Sequence, residues 1–413
     1  MKTWGRFGLA AALFVAAAAW FLGSGVKAAG GPVEGEGGPY RVLAPIESGN
    51  LLLFPVVRAD AKSAAETPFI TLDEGLKSGE VEVTEAGRAR GLVRPRGPAN
   101  HDDFDRGDEV NTLVLVNRSK RPLLLLAGEI VTGGKQDRIV AKDRIVPADA
   151  DPIDLGVFCI EPGRWTESSA TFGAAGKSAA KGFMVQPRVR ERAMVDQDQQ
   201  QVWNSVNGAI SQMEVAAAPP VGSGSSHGEG LYPGTLGTSS YAKAMQDTAV
   251  SEKVDEAAAP VMNAREQVLA QLRDEHAVGV VVAVRGEIIW ADLFANTDLL
   301  SRYWTKLVRS YAAESLTEGE DHPAPTVADA QHFLDAPSGG TENSEGEVGI
   351  YRYRELKSSG TETFVLESLL PGAGYDVHLS KMKLRGDESQ NVKPQSSGHP
   401  MVRRDVYRPE IVQ

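Results

Sequence analysis

The sequence is short of the residues that most site chemistry needs. It has one cysteine, Cys159, so no internal disulfide can form and the core alone must hold the fold. Its histidines (His101, His227, His276, His322, His332, His378 and His399) are scattered. None stands four residues from another with a glutamate between, and no cysteine pair accompanies them, so no zinc site is expected. There is no Gly-x-Ser-x-Gly elbow and no Gly-x-Gly-x-x-Gly fingerprint. Positive charge is also in deficit: 43 Lys and Arg stand against 55 Asp and Glu, a net charge of −12. A nucleic-acid binder needs a basic footprint to neutralise phosphates, so none is expected as a partner. Without a complete catalytic set, no catalytic residue, metal or cofactor is assigned, and the balance is against an enzyme.

What is present begins with an export signal. Lys2 and Arg6 precede an uncharged run from Phe7 to Val26, and Val26-Lys27-Ala28 offers a cleavage site after Ala28. The expectation is a signal peptide over residues 1–28, with an uncleaved inner-membrane anchor over residues 7–26 as the alternative, since ~20 apolar residues span a bilayer. No cysteine follows the run and no Arg-Arg pair precedes it, which excludes a lipoprotein and argues against twin-arginine export. The protein is therefore read as periplasmic or extracellular, touching a membrane only through that segment.

The mature chain reads as α+β. Two apolar runs flank Ser48-Gly49-Asn50, a hairpin signal. Thr71-Leu-Asp-Glu74 is a capping box, with Gly79 as the stop. Short strands follow over Asn111–Val116, Pro122–Leu126, Glu129–Val131, Arg138–Val146 and Ile153–Ile160. They suggest an antiparallel sandwich or barrel-like sheet in which Leu123–Leu126, apolar on both faces, is central. From Arg188 a helical period sets in with Val195, Val202, Val206, Ile210 and Met213. The expected fold is a β-rich N-terminal half packed with long helices from the second half. A family-like domain would cover residues 40–316, with a flexible insertion at 216–240. A helix from Tyr241 to about Asp274 should break at Pro260. Val278–Val284 and Glu287–Leu293 should pair across Arg285-Gly286. A small α+β extension is expected over 321–383, with late strands at Val348–Arg354, Thr361–Leu366 and Tyr375–Leu379, and a disordered tail over 384–413.

Residues 123–165 carry the only non-generic pattern. Between Arg118 and Arg192 there are thirteen Lys or Arg against nine Asp or Glu, a basic segment in an acidic chain. Gly128 to Lys135 is not a phosphate loop: five residues, not four, precede the Gly-Lys pair, and Gln136 stands where Ser or Thr is needed. Cys159 and Arg164 have the separation of a rhodanese-type loop. Yet Pro162 removes a backbone donor, Glu161 adds like charge, and Val157–Ile160 reads as a buried strand. Ser178-x-x-Lys181 with Ser205-Val-Asn207 lacks the third element of penicillin-interacting serine enzymes. His101 to Glu109 lacks the closing glutamate of a calcium loop. Arg385-Gly-Asp387 is a tripeptide of a kind that recurs by chance.

Two basic corners survive. Gly133 and Gly134 allow close backbone approach to an anion, flanked by Lys135, Gln136 and Arg138. Glu161, Arg164 and Trp165 form the second corner, where an arginine and an indole can grip a phosphate or carboxylate and a flat ring. With Glu129 these are the candidate ligand-binding residues. Three readings follow: a non-catalytic exported protein binding an anionic small molecule or an envelope partner; a structural envelope protein in which the same charges pair internally; and a hydrolase using Glu129, Asp137 and Glu161 as acid and base.

The stretch Leu-Ala-Gly-Glu129-Ile-Val-x-Gly-Gly134-Lys-Gln136-Asp-Arg138, followed by Val157-Phe-Cys159-Ile-Glu161-Pro-Gly-Arg164-Trp165 and by Gln200-Gln-Val-Trp203-Asn-Ser-Val206, resembles the ARG-and-Rhodanese-Phosphatase-superfamily-associated protein family. Gly49-Asn-Leu, Phe54-Pro55, Phe294 and Trp304-x-Lys-Leu307 fit the same pattern, and the resemblance is read from Arg41 to Leu316. It implies association with ADP-ribosylglycohydrolase and rhodanese or phosphatase modules, and by analogy either a ligand related to ADP-ribose or a nucleotide or a role in folding around such partners. It does not imply that Cys159 is a nucleophile.

Overall fold

The computed structural model describes residues 39–58, 67–86, 112–164, 166–176, 182–218, 236–263, 276–338 and 340–385. Residues 1–28, for which an export signal is expected, residues 101–109, Trp165, Ser178–Lys181, most of residues 216–240 and nearly all of residues 384–413 lie outside them.

Three sheets organise the chain. The largest has nine strands in the order β1 (Tyr40–Val42), β3 (Leu51–Arg58), β13 (Ala277–Val284), β14 (Glu287–Phe294), β18 (Tyr375–Lys383), β17 (Thr361–Ser368), β16 (Tyr351–Ser358), β15 (Thr341–Glu347), with β2 (Ile46–Ser48) also on β3. The central place of β13 follows from its sequence, AVGVVVAV, which is buried along its whole length and so can only sit with both faces covered. The second sheet has three strands, with β7 (Leu123–Leu125) between β10 (Arg144–Val146) and β4 (Ile70–Thr71), as the apolar run predicts. The third runs β12 (Gly173–Ala174), β8 (Ile130–Thr132), β9 (Arg138–Val140), β11 (Ile153–Cys159), β6 (Thr112–Asn117), β5 (Val81–Glu85).

The third sheet closes on itself. Just before β12 the chain meets the far edge: Thr171 bridges Thr84, the Phe172 N–H donates to the Val83 carbonyl at 2.9 Å, and the Thr84 hydroxyl donates to the Ala170 carbonyl at 3.1 Å. Six strands thus form a small barrel. Val83, Leu115, Val131, Val140, Val157 and Phe172 share one core with Ile70, Leu123, Leu125 and Val146 of the three-stranded sheet. Each such buried side chain contributes ~1.5–3 kcal/mol.

Among the described residues the α-helices are α1 (Leu72–Ser78), α2 (Pro187–Glu191), α3 (Gln199–Ala217), α4 (Tyr241–Gln246), α5 (Thr248–Asn263), α6 (Thr297–Ser315) and α7 (Val327–Asp335). A larger core joins α2 to α6 to the nine-stranded sheet, whereas Leu72 of α1 belongs to the barrel core and Ala330 of α7 to a third core with Leu52, Phe54 and Val281. In α1 both halves of the capping box form, and Gly79 takes the left-handed conformation that ends the helix. α6 is buried on nearly every side, with Tyr303, Trp304, Leu307, Val308 and Tyr311 in the core.

The expected division into a β-rich first half and long helices in the second is overturned. Strands run the length of the chain: among the described residues there are 18, and β13 to β18 make two-thirds of the largest sheet. The seven α-helices are mostly short, five having 16 residues or fewer. The late segment forms sheet because β18 pairs with β14, register Asp292↔Ser380, which extends the main sheet outward. The helix break also falls elsewhere. α5 continues through Pro260, and the interruption is at Asp247. Pro260 and Glu256 are both exposed, so the carbonyl that proline leaves unbonded faces solvent.

Candidate functional site

The Gly-Gly turn lies between β8 and β9, at the seam of the barrel. Gly133 and Gly134 have φ of +137° and +50°, in the region that favours glycine. The space is filled as well. A Cβ on Gly133 would lie 2.4 Å from the Ser169 Oγ and 2.8 Å from the Thr171 carbonyl; one on Gly134 would lie 2.3 Å from the Phe172 ring. The seam segment therefore packs directly over the turn.

The amides of the turn do what the anion-cradle reading expects, but on the protein's own groups. The Gly133 N–H donates to Asp137 Oδ1 at 3.1 Å, the Gly134 N–H to Ser169 Oγ at 3.3 Å and the Lys135 N–H to Glu85 Oε1 at 3.0 Å. Two of the three acceptors are carboxylates. Consecutive N–H groups in such a turn favour negative charge, and Asp137 and Glu85 supply it.

Arg164 closes the other side. Its guanidinium donates to Glu161 Oε2 at 2.7 Å, the Gly134 carbonyl at 2.7 Å, the Thr166 carbonyl at 3.0 Å, the Gly133 carbonyl at 3.3 Å and Asp137 Oδ1 at 3.2 Å. Glu161 is buried and accepts also from the Asp137 N–H at 3.3 Å and from Lys243 Nζ at 2.9 Å. Asp137 accepts from the Ser240 hydroxyl at 2.8 Å, and Ser240 is the N-cap of α4. Burial, with the nearby Glu161 charge, pushes the Asp137 carboxyl above its ordinary value. One charged cluster thus ties the turn, the seam and the start of α4 together.

The remaining predicted residues part company. Arg138 is buried on β9, with Nη1 on Gln136 Oε1 at 3.3 Å and Nη2 4.0 Å from Glu85. Glu129 lies elsewhere, fully buried, with Oε1 on Lys306 Nζ at 2.6 Å and Oε2 accepting from the Leu126 N–H at 2.8 Å. Lys306 of α6 also pairs with Asp73 at 2.8 Å. Burial raises the Glu129 carboxyl; it opposes the charge on Lys306 too, but the two carboxylates outweigh it and hold the ammonium above its usual range. Cys159 is buried in β11, opposite Arg138, and its backbone is clasped by the Gln199 carboxamide at 2.8 and 2.9 Å. Burial pushes its thiol up to about 11, which removes the thiolate a nucleophile needs.

Sequence reasoning missed a second buried charged network, centred on His378 and Asp292. His378 Nδ1 meets Asp143 Oδ2 at 2.6 Å, and its Nε2 lies 3.2 Å from Asp292 Oδ1. Asp292 accepts two bonds from Arg190, at 2.9 and 3.1 Å, one from Ser380 at 2.7 Å and one from the Tyr311 hydroxyl. Burial works against a charged imidazole, but Asp143 and then Asp292 lift His378 to about 9. Burial likewise disfavours the Asp292 charge, and Arg190 and His378 overcome it, holding that carboxyl well below the usual range. The partners lie up to 235 residues apart, so no spacing announces them. Lys306 left little signal, since it shares its helix face with Arg302, Arg309 and Ser310 as well as Tyr303 and reads as part of a polar flank. Among the described residues no group of three His, Cys, Asp or Glu side chains is placed to hold a metal ion, and no helix is long and apolar enough to cross a membrane.

Compared with known proteins, the chain matches one family model over residues 39–382, that of the ARG and Rhodanese-Phosphatase-superfamily-associated Protein domain. The match passes Leu316 and takes in the last four strands. No curated protein and no solved structure matches the chain.

Proposed function

Since the chain belongs to the ARG and Rhodanese-Phosphatase-superfamily-associated Protein domain family, whose description records an association and not a reaction, we propose its role from its geometry: a non-catalytic structural or interaction protein of an exported compartment. In this reading the motif residues lock a barrel. The observation that carries it is that the three amides of the Gly133–Lys135 turn are each taken by an acceptor of the protein itself, two of them carboxylates. An external phosphate would have to displace Asp137 and Glu85, both buried, and leave them unpaired. Arg164 supports the same reading, since its donors are spent on two carboxylates and three carbonyls. The hydrolase reading loses one of its three carboxylates, because Glu129 is held in a different cluster by Lys306. Export rests on the charge and apolar pattern of residues 2–28.

The test is a thermal-shift titration with inorganic phosphate and with ADP-ribose, each to millimolar concentration. No rise in Tm is expected. A ligand at a hundred times its Kd would stabilise by ~2.7 kcal/mol. A saturable rise that is lost in Lys135→Ala would overturn the proposal and restore the anion-binding reading.

A further inference from the structure

The two edges of the nine-stranded sheet are finished differently. One is covered. The Gln331 carboxamide of α7 accepts from the Val42 N–H at 2.8 Å and donates to the Tyr40 carbonyl at 3.1 Å, both on β1, while the Ser48 hydroxyl of β2 donates to the Ala257 carbonyl of α5. The other edge is β15, paired only with β16. Its sequence, TENSEGE, contains no apolar side chain, and residues 341–346 are all exposed. An open edge of this length is a template for another strand.

The ladder fixes which groups that edge offers. Ser358 and Thr361 close a two-residue turn between β16 and β17, so they exchange both backbone bonds with each other. Bonding direction alternates along a strand. Tyr351, Tyr353, Glu355 and Lys357 therefore turn towards β15, where they meet Glu347, Glu345, Asn343 and Thr341. The backbone N–H and C=O groups of Glu342, Ser344 and Gly346 point away from the sheet, and among the described residues nothing takes them.

Two strands of this sequence fit each other about one axis. An antiparallel register centred on Ser344 sets Ser344 opposite its own counterpart and Glu342 opposite Gly346, so all three outward residues find partners. On the other face Glu345 falls opposite Asn343 and Glu347 opposite Thr341, so no glutamate stands directly against another. Glu345 and Glu347 are already neutralised within their own chain, by Lys142 at 2.7 Å and by Arg144. That removes most of the repulsion by which a charged edge resists pairing. Val348, a fully exposed apolar side chain at the hairpin tip, falls opposite Gly340.

We propose that β15 is an interface with a second copy of this chain, the two strands pairing antiparallel about Ser344 and joining two nine-stranded sheets across a two-fold axis. Such a contact is isologous and closed, so it ends at the dimer. It does not depend on the lock at the Gly133–Lys135 turn. One strand pair lies at the low end of interface size, below ~1,200 Å², so the association is weak and concentration-dependent.

Sedimentation velocity on the full chain, from micromolar to near-millimolar concentration, tests this. A reversible monomer–dimer equilibrium is expected. Ser344→Pro removes an outward N–H and no bond of the β16 ladder, so it should weaken dimerisation about tenfold or more while leaving Tm unchanged in dilute solution. Oxidation of cysteine variants reads the register. Opposed residues that exchange backbone bonds have Cα atoms ~5.5 Å apart, within disulfide reach, whereas the two copies of residue 342 would lie ~13 Å apart. Ser344→Cys should therefore cross-link at least about tenfold faster than Glu342→Cys. A monomer at every concentration overturns the proposal. So does a dimer that Ser344→Pro leaves intact, and so does cross-linking of both cysteine variants at one rate. Slow hydrogen exchange at the amides of 342, 344 and 346 in the dilute monomer overturns it too, because another part of the same chain would then hold the edge.

Discussion

Replacing Arg164 with alanine is expected to cost about 3 kcal/mol. Breaking a buried ion pair by removing one partner costs ~3–5 kcal/mol, and Arg164 faces two buried carboxylates, Glu161 and Asp137. The figure falls at the low end because the Arg164 side chain is 17% exposed and Lys243 stays beside Glu161. At roughly 2 cal/mol/K of unfolding entropy per residue, over the matched residues 39–382, this lowers Tm by roughly 4 °C. Arg164→Lys keeps the charge but cannot reach two carboxylates and three carbonyls at once, so it should fall between wild type and alanine. The loss has a place as well as a size. Arg164 holds the turn on which the Ser168 N–H rests, through the Gly134 carbonyl at 2.8 Å, and the Phe172 N–H closes the barrel nearby. Exchange at 168 and 172 should therefore accelerate first. Scanning calorimetry supplies the Tm and exchange mass spectrometry the location. An unchanged Tm would refute the lock, and so would uniform destabilisation that leaves 168–172 as protected as the rest.

Other buried charges give further expectations. Lys306→Met should cost about 3–5 kcal/mol near pH 8 by stranding Glu129; because Glu129 is already raised it can take a proton instead, so the loss measured from urea midpoints should shrink near pH 5, and an equal loss at both would contradict the assignment. His378, lifted from 6.5 to about 9, stabilises fully below its ordinary value and less as pH rises through about 9, so wild-type stability should fall across that window by on the order of 3 kcal/mol more than that of His378→Gln. Cys159, buried and pushed up to about 11, should react with a water-soluble maleimide at least about a hundredfold more slowly in the native chain than in urea; equal rates would place the thiol at the surface.

Local chemistry was legible in the sequence and distant pairing was not. The capping box at Thr71–Glu74, the Arg285-Gly286 hairpin and the buried strand around Cys159 each depend on residues a few positions apart. The motif stretch stood out by composition, but its glycines admit two readings. A Gly-Gly turn looks the same whether its amides await an anion or hold one from the same chain, and Glu85 lies 50 residues away. β15 escaped because it has no apolar alternation to detect; its strand character is imposed by β16 and by two cations, Lys142 just before β10 and Arg144 on it. The barrel seam escaped for a similar reason, since β12 is two residues long, pairs only with β8, and the closure beside it is the single bridge Thr84↔Thr171. The late strands did show as strands, but nothing local says that the last of them lies against β14.

The pairing of β3 with β13 bears on how the chain survives its own synthesis. Leu51 to Arg58 reads LLLFPVVR and is buried on both faces, yet the partner that covers one edge, Ala277–Val284, emerges roughly 220 residues later. At ordinary rates of elongation that is a wait of ~10–45 s. Through that interval the stretch is an apolar strand with one edge covered by β1 and β2 and the other open. If the chain is exported, that interval extends until translocation is complete. The order of the strands in the finished sheet thus makes late arrival of residues 277–284 the step that decides between folding and aggregation, and gives a holding chaperone a defined target near the N-terminus.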